Sequence, residues 1–204
     1  MALVGTPGSH YNGGMNQSEL YHYLQQRLQT HQPRRVHQPE LAEAGVLVAI
    51  TDETDPRLLL TRRAVHLSTH QGEVAFPGGK RDTGDSSIVI TALREAQEEV
   101  ALQPEQVRIV GELDQVVSRF GYLVTPVLGI IPPDQQFVAN PDELDAVFLV
   151  PLSHFRTEPS RYFERGSIRI PSYDYGDFHI WGLTAMMIAE MMNHLWDCRI
   201  SFRI

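Results

Sequence analysis

The sequence predicts an α/β fold of the α+β type, in which a mixed β-sheet is covered by helices on both faces. Two observations predict it. Short apolar segments typical of strands stand both before and after an amphipathic helix pattern over residues 87–101. A second helix pattern, over residues 183–195, closes the chain. The length of 204 residues suits one domain with a sizeable core.

The N-terminal part divides into two segments ahead of the main domain. Residues 1–17 are rich in Gly, Ser and Asn, so we expect a disordered N-terminus, or an extension left from cloning with Met15 as the native start. Residues 18–36 are expected to form a short helix, capped by Ser18, and a linker. Residues 37–204 then make up the main domain.

The main domain opens with a predicted hairpin, whose strands at residues 44–50 and 57–62 flank a polar turn. A strand at residues 73–76 leads to the central helix. Strands at residues 107–113, 122–131 and 146–150 follow, and a short helix is predicted at residues 151–155. Near the C-terminus, residues 168–170 and 178–180 are expected to pair as β-strands.

The central helix pattern carries three carboxylates on one side. At about 100° per residue, Glu95, Glu98 and Glu99 fall within one arc of about 100°. Their oxygens can converge on one point, and a cluster of hard oxygen ligands favours Mg²⁺ or Mn²⁺. Arg94 stands four residues before Glu98 and can pair with it. An acidic run on a helix is most often only a solvated face, so the neighbouring sequence decides its meaning.

A glycine-rich segment, Phe76–Lys80, precedes this helix. Pro77 lacks an N–H, and Gly78 and Gly79 can adopt backbone angles closed to other residues, so we expect a tight turn from strand into loop. Such glycines would let main-chain groups approach a phosphate or a metal ion closely. Gly78, Gly79 and Lys80 are therefore candidate substrate-binding residues.

The charge of the chain is negative overall but positive near these motifs. The 25 acidic and 17 basic residues give a net charge of −8, which argues against a general binder of nucleic acid or of anionic membranes. An anionic substrate must then meet local positive charge or a metal ion. Arg62 and Arg63 are candidate phosphate ligands, because a guanidinium fork suits phosphate oxygens.

The remaining composition bears on compartment and assembly. The single cysteine, Cys198, excludes an internal disulfide and a cysteine-based metal site. The sequence shows no signal-peptide pattern and no apolar run near the roughly 18 residues of a membrane helix, so we expect a cytoplasmic protein. The aromatic residues and methionines of residues 173–192 are expected in the core or in an interface, which leaves a homodimer open.

Taken together, these motifs resemble the Nudix hydrolase family, whose box reads G-x5-E-x7-R-E-apolar-x-E-E-x-G-apolar. The matching positions are Gly79, Arg94, Glu95, Ala96, Glu98, Glu99 and Leu102. The chain departs from the box in three ways: one additional residue between Gly79 and Arg94, Asp85 or Ser86 in place of the upstream Glu, and Ala101 in place of the closing Gly.

The resemblance implies the Nudix α/β/α sandwich for residues 37–204, hydrolysis of a phosphoric anhydride, and Mg²⁺ or Mn²⁺ as cofactor. It implies Glu95, Glu98 and Glu99 as metal ligands, with the Gly79 carbonyl as a further ligand and Arg94 as their orienting partner. Either Glu95 or Glu143 takes the proton of the attacking water, and the sequence leaves both open.

A second pattern resembles the coenzyme A diphosphatase branch of that family, L-L-T-x-R-[SA]-x3-R-x3-G-x3-F-P-G-G. The chain carries Leu59–Ala64, Gly72 and Phe76–Gly79 at those positions, with Ser68 in place of the second Arg. The resemblance implies a small-molecule substrate, coenzyme A, cleaved to 3′,5′-ADP and 4′-phosphopantetheine. The alternatives are a Nudix enzyme for ADP-ribose or a dinucleotide, and a non-catalytic nucleotide-sensing module on the same fold.

Overall fold

The computed structural model of the protein describes residues 17–66 and 71–203. Within these ranges the helices are α1 (Gln17–His31), α2 (Ile88–Val100) and α3 (Gly182–Trp196), and two short 3₁₀ helices span Pro104–Gln106 and Leu152–Arg156. The strands are β1 (Ala42–Thr51), β2 (Arg57–Arg63), β3 (Val74–Ala75), β4 (Gly78–Lys80), β5 (Arg108–Glu112), β6 (Val116–Val117), β7 (Tyr122–Ile131), β8 (Leu144–Pro151), β9 (Arg161–Arg165), β10 (Ile168–Tyr175) and β11 (Phe178–Ile180).

The main sheet is mixed, as the sequence predicts. Its central path runs β3-β2-β1-β7-β5, while β4 pairs with β1, β6 with β7 and β8 with β2. The β1 and β7 strands are parallel along their whole length, from Ala42 opposite Tyr122 to Thr51 opposite Ile131, and the other pairs are antiparallel. The predicted hairpin is confirmed, since β1 and β2 pair as antiparallel neighbours.

Helices cover both faces of this sheet because its central strands are apolar on both sides. Side chains alternate along β1: Leu47 and Ala49 pack in the core beneath α2, whereas Val48 and Ile50 pack in the larger core shared with α1 and α3. The same alternation continues along β2. The residues of β2 therefore divide between an α2 side and an α1/α3 side of the sheet.

A small antiparallel sheet of order β11-β10-β9 precedes α3 in the chain, and its strand β10 contacts that helix. The expected direct pairing of residues 168–170 with residues 178–180 is wrong. Residues 168–170 pair with 163–165 of β9, and residues 178–180 pair with 173–175 of β10. The strand β10 is long enough to hold both neighbours in succession, which two short apolar triplets do not reveal.

The N-terminal segments differ in what the structure describes. Residues 1–16, where disorder is expected, lie outside the described residues. The predicted short helix is α1, and its described part begins at Gln17, one residue before the predicted cap at Ser18. Among the described helices, none has the length and the apolar character needed to span a bilayer.

Candidate active site

The three helix glutamates lie on α2, whose ends are set by local capping. Ser87 precedes the helix and its hydroxyl accepts a hydrogen bond from the Ile90 N–H. Ala101 ends it in the left-handed conformation, with φ 58°. Between them, the glutamates form a series from the core to the solvent: Glu99 is buried, the side chain of Glu95 is 16% exposed, and that of Glu98 is 55% exposed.

Glu99 is a carboxylate held in the interior of the site. One of its oxygens accepts a hydrogen bond from the Gly78 N–H at 3.1 Å. Burial raises its pKa to about 8, and the negative charges of Glu143 and Glu95 act in the same direction. The Gly78 hydrogen bond and the positive charge of Arg63 offset this only in part. The site therefore has an excess of negative charge near Glu99.

Arg94 ties the outer glutamates together. Its Nη1 lies 2.9 Å from Glu95 and 3.1 Å from Glu98, so the pairing with Glu98 predicted from the spacing is present. Its Nη2 donates to the Lys80 carbonyl at 3.2 Å and to Asp85 at 3.1 Å. Burial raises the pKa of Glu95, and the Arg94 charge opposes that effect.

Asp85 has a defined role that the sequence alone does not assign. Its carboxylate is buried, accepts hydrogen bonds from the Thr91 hydroxyl at 2.9 Å and the Asp82 N–H at 3.0 Å, and pairs with Arg94. The Arg94 hydrogen bonds, with that of the Asp82 N–H, lower its pKa to about 2. The acid in the loop thus fixes the arginine. The signal that could have identified it is the run Asp85-x-Ser87, in which an acid stands just ahead of a helix cap.

The expected tight turn at Gly78 and Gly79 is wrong. Both glycines lie in β4, which pairs with β1 through Gly79 opposite Gly45, and neither has a positive φ. Glycine is needed there for close approach. A Cβ on Gly78 would lie 2.5 Å from the Gly45 carbonyl oxygen, and one on Gly79 would lie 2.5 Å from the Glu95 carboxyl carbon.

Gly45 is a third glycine that permits a close approach in this region, and the sequence analysis does not identify it. A Cβ at this position would lie 2.7 Å from the Ile88 carbonyl oxygen, at the start of α2. The first turn of α2 therefore rests directly on the backbone of β1. A lone glycine inside an apolar strand pattern is the signal that could have indicated this contact.

Arg63 and Glu143 reach the same site from the other side. The charges of both residues act on the pKa of Glu99, and that of Glu143 acts also on Glu95. The Asn140 amide donates to Glu143 at 3.2 Å, and the Asn140 N–H donates to the Glu99 carbonyl at 2.8 Å. This loop therefore holds Glu143 beside the C-terminal half of α2. Nε of Arg63 is buried and has no hydrogen-bond partner in the described part of the chain.

The other predicted substrate ligands divide between the site and its surroundings. Arg62 lies on the α1/α3 side of the sheet, where its guanidinium stands 5.2 Å from the Phe178 ring. The Lys80 side chain is exposed, and only its carbonyl contacts Arg94. Ser68 lies outside the described residues.

A polar cleft of about 690 Å³ opens beside Arg81 and Asp85, and none of the three glutamates lines it.

A divalent cation fits the residues on α2. The donor set consists of carboxylate oxygens, and Glu99 is a buried acid whose pKa is raised by burial and lowered only in part by the nearby charge of Arg63. The described residues also contain a second group of ligand type, His31, Asp114 and His194, whose ligand atoms all lie within 4.8 Å of one another. That group lies on the α1/α3 side of the sheet, opposite α2.

Comparison with known proteins decides the family. A NUDIX domain model matches residues 16–169 of the chain. The chain belongs to the Nudix family. It is 43% identical over 178 residues to a protein of Salmonella newport (strain SL254) named as an uncharacterized Nudix hydrolase NudL, which covers 84% of this chain and 92% of that protein. A protein of the same name from Salmonella typhimurium (strain LT2) gives the same values.

The fold has a counterpart among solved structures. The crystal structure of a MutT/nudix family protein from Enterococcus faecalis matches with a TM-score of 0.52 at 15% identity, and covers 90% of this chain and 76% of that chain. The domain model and the relatives of 43% identity confirm the predicted Nudix family and enzyme class, and the solved structure agrees with the predicted fold. The chain is a Nudix hydrolase, an enzyme that acts on phosphoric anhydride bonds of nucleoside diphosphate derivatives, and this family generally uses divalent metal ions.

Proposed function

We propose that this Nudix hydrolase cleaves the pyrophosphate bond of coenzyme A or its derivatives, to 3′,5′-ADP and 4′-phosphopantetheine. One observation carries the proposal. The segment that resembles the coenzyme A branch, Leu59–Arg63, lies in β2, and the N–H of the next residue, Ala64, donates to the Glu143 carbonyl at 2.8 Å. Glu143 belongs to the loop whose Asn140 N–H donates to the Glu99 carbonyl at 2.8 Å. This connection supports a single site that combines Arg63 of that motif with the glutamates of the Nudix box.

The helix carboxylates would hold Mg²⁺ or Mn²⁺. Glu95, Glu98 and Glu99 supply the oxygens, and the Gly79 carbonyl is the further ligand that the family resemblance implies. Bound there, the metal would neutralise pyrophosphate oxygens and make a water more acidic. Arg94 orients Glu95 and Glu98 through contacts of 2.9 and 3.1 Å.

Arg63 is proposed to receive a phosphate of the substrate. Its Nε is buried without a hydrogen-bond partner in the described residues, and a guanidinium can bind two phosphate oxygens at once. Gly78, Gly79 and Lys80 would approach the substrate through the edge of β4. Arg62 has no such part in the proposal, because it stacks on Phe178 on the other side of the sheet.

Glu143 is proposed as the group that takes the proton of the attacking water. Of the two acids that the sequence leaves open, Glu95 contacts Arg94 at 2.9 Å and is also a proposed metal ligand, so its oxygens are less available to accept a proton. Glu143 lies on the loop after Asn140, near both Glu95 and Glu99, and is held by the Asn140 amide. In the variant Glu143→Gln we expect kcat to fall on the order of 10²–10⁴-fold with KM little changed.

Product analysis tests the substrate. The purified chain would be incubated with Mg²⁺ or Mn²⁺ and coenzyme A in water enriched in heavy oxygen, and the products weighed by mass spectrometry. We expect 3′,5′-ADP and 4′-phosphopantetheine, and the product that carries the heavy oxygen identifies the phosphorus that water attacks. A clear preference for ADP-ribose or a dinucleotide would contradict the coenzyme A proposal.

Two helix variants test the metal centre. Glu98→Gln and Glu99→Gln should each abolish most turnover while nucleotide binding persists, because the amide is a poor ligand for a hard cation. Glu105→Gln is the matched control, an exposed acid in the 3₁₀ helix that follows α2. Unchanged turnover in both helix variants would refute the metal centre, and binding without turnover in the wild type would favour the sensing module.

The compartment and the assembly stay predictions. A cytoplasmic location and a homodimer are compatible with a small-molecule nucleotide substrate, and neither enters the argument for the site. Sedimentation analysis of the purified protein would settle its oligomeric state.

A further inference from the structure

Three ligand atoms from distant parts of the chain meet between the first and last helices. His31 is the last residue of α1, Asp114 follows β5, and His194 lies in the last turn of α3. The His194 Nδ1 lies 2.6 Å from the His31 Nε2, the His31 Nε2 lies 2.8 Å from the Asp114 Oδ2, and the His194 Nδ1 lies 3.2 Å from that same oxygen.

Hydrogen bonds alone do not account for this triangle. If both ring nitrogens carry protons, two N–H groups face each other at 2.6 Å. If only one does, the lone pair of the other nitrogen faces the Asp114 carboxylate. One of the three contacts is therefore repulsive in either case. A cation placed among the three atoms would attract two nitrogen lone pairs and the carboxylate together.

The dimensions suit a small cation. A circle through the three atoms has a radius of about 1.7 Å, shorter than the Zn–N distance of about 2.0–2.1 Å, so an ion at that distance from all three would sit about 1.2 Å out of their plane. A pocket of about 10 Å³ borders the group and is lined also by Glu190 and Met191. That volume is on the order of a single water molecule or ion.

The surroundings fix the ligands in place. The Arg34 N–H donates to the second oxygen of Asp114 at 2.5 Å, and the Arg34 guanidinium lies 3.0 Å from Glu190. Glu190 is buried and stands four residues before His194, so both lie on one face of α3. At metal sites, hydrogen bonds to the far side of a ligand, such as that of the Arg34 N–H to Asp114, hold the ligand in one orientation. A water is then available as a fourth ligand.

We infer that His31, Asp114 and His194 form a zinc site that joins α1 to α3, separate from the metal centre on α2. Two imidazole nitrogens and one carboxylate oxygen are ligands that zinc accepts readily, whereas Mg²⁺ prefers oxygen alone. The role is structural. Besides sharing the larger core, α1 contacts the end of α3 through the Tyr23 hydroxyl, which donates to the Leu195 carbonyl at 2.5 Å. Arg27 adds a hydrogen bond to the His194 carbonyl at 2.6 Å and an ion pair with Asp197 at 2.5 Å.

Metal content tests the inference directly. Protein without an affinity tag would be dialysed against zinc and then against buffer, and its zinc measured by mass spectrometry. We expect one zinc ion per chain in the wild type, and near zero in His31→Gln and His194→Gln. The matched control is His179→Gln, because His179 also contacts an aspartate, Asp174, at 2.6 Å, but the two have no third ligand beside them among the described residues. This control should keep its zinc.

Further readouts separate the site from α2 and from misfolding. The double variant Glu98→Gln with Glu99→Gln should retain the zinc, and cobalt in place of zinc should give the visible absorption of a tetrahedral ion. Zinc should raise the Tm of the wild type and of His179→Gln but not of His31→Gln. If a histidine variant fails to fold without metal, Asp114→Asn is used for the same measurement. Wild-type protein that binds no zinc, or histidine variants that bind as much as the wild type, would overturn the inference.

Discussion

Nη2 of Arg94 lies 3.1 Å from Oδ2 of Asp85, a buried carboxylate nine residues earlier in the chain. The Nη1 atom of the same guanidinium contacts Glu95 and Glu98. The loop acid and the helix glutamates thus share one arginine. Because Asp85 is itself held by the Thr91 hydroxyl, it fixes the direction from which Arg94 approaches the glutamates.

The first prediction concerns Asp85→Asn. Loss of the charge should lower the free energy of unfolding at neutral pH by about 1–3 kcal/mol, because hydrogen bonds to a charged partner are lost. The pKa of Asp85 is lowered to about 2, so its stabilising contribution is present above its ordinary pKa, near 4, and is lost as the pH falls to about 2. The difference between variant and wild type should therefore shrink over that range in denaturant titrations.

Asp82→Asn is the control for this series. Its carboxylate lies 3.9 Å from Arg94 and its side chain is 71% exposed, so we expect almost no change in stability at any pH. An equal loss in both variants would show that Arg94 does not depend on Asp85.

The second prediction separates two adjacent glycines. In Gly79→Ala the new methyl group would meet the end of the Glu95 side chain, which must move. We expect kcat/KM to fall on the order of 10²-fold with little change in Tm, since a misplaced ligand costs activity more than stability. Gly84→Ala, where nothing lies within 4 Å of the added atom, should change neither quantity.

Gly78→Ala should act on stability instead. Its methyl group would lie 2.5 Å from the Gly45 carbonyl oxygen and 2.6 Å from the Val46 Cα, and backbone cannot give way as a side chain can. We expect a loss of about 1–3 kcal/mol in the free energy of unfolding, measured by denaturant titration. Full activity of Gly79→Ala alongside this loss would mean that Glu95 is not needed at its present position.

The third prediction uses the alternation of β2. Arg63→Gln should lower kcat/KM by about 10–100-fold, which corresponds to the loss of one charged hydrogen bond to phosphate. Arg62→Gln is the matched control, since its side chain lies on the opposite side of the sheet against Phe178. It should leave kcat/KM near the wild-type value and lower stability by about 0.5–1 kcal/mol. Equal losses of activity in the two variants would refute the assignment of Arg63.

The fourth prediction concerns the end of α2. Ala101 has φ 58° and ψ 23°, a left-handed conformation that glycine adopts with less strain. Ala101→Gly should raise the free energy of unfolding by about 0.5–1 kcal/mol, and the Tm by roughly 2 °C. Ala96→Gly, in the buried interior of the same helix, should have the opposite sign. A loss of stability in Ala101→Gly would contradict the strain argument.

Local pattern explains what the sequence could predict. The acidic face of α2 follows from helical spacing, and the β1–β2 hairpin from two apolar segments around a polar turn. The contact of Arg94 with Glu98 is likewise a matter of four residues along one helix. Each of these depends on residues that are close in the chain.

What the sequence could not predict depends on distant backbone. Gly78 and Gly79 look like a turn until β1 is placed against them, and residues 168–170 find their partner only once β9 is known. The group of His31, Asp114 and His194 has no signal at all, because its nearest members are 80 positions or more apart in the chain. Only packing of α1, α3 and the loop after β5 brings them together.

The parallel pairing of β1 with β7 also constrains how the protein is made. Ala42 lies beside Tyr122, so β1, the strand next to Gly78 and Gly79, waits for 80 further residues to be synthesised before its parallel neighbour exists. Until Ile131 has left the ribosome, one edge of β1 exposes unpaired backbone N–H and C=O groups to other chains. Pairing over such separations is slow, and we expect nascent chains that end before β7 to require a chaperone.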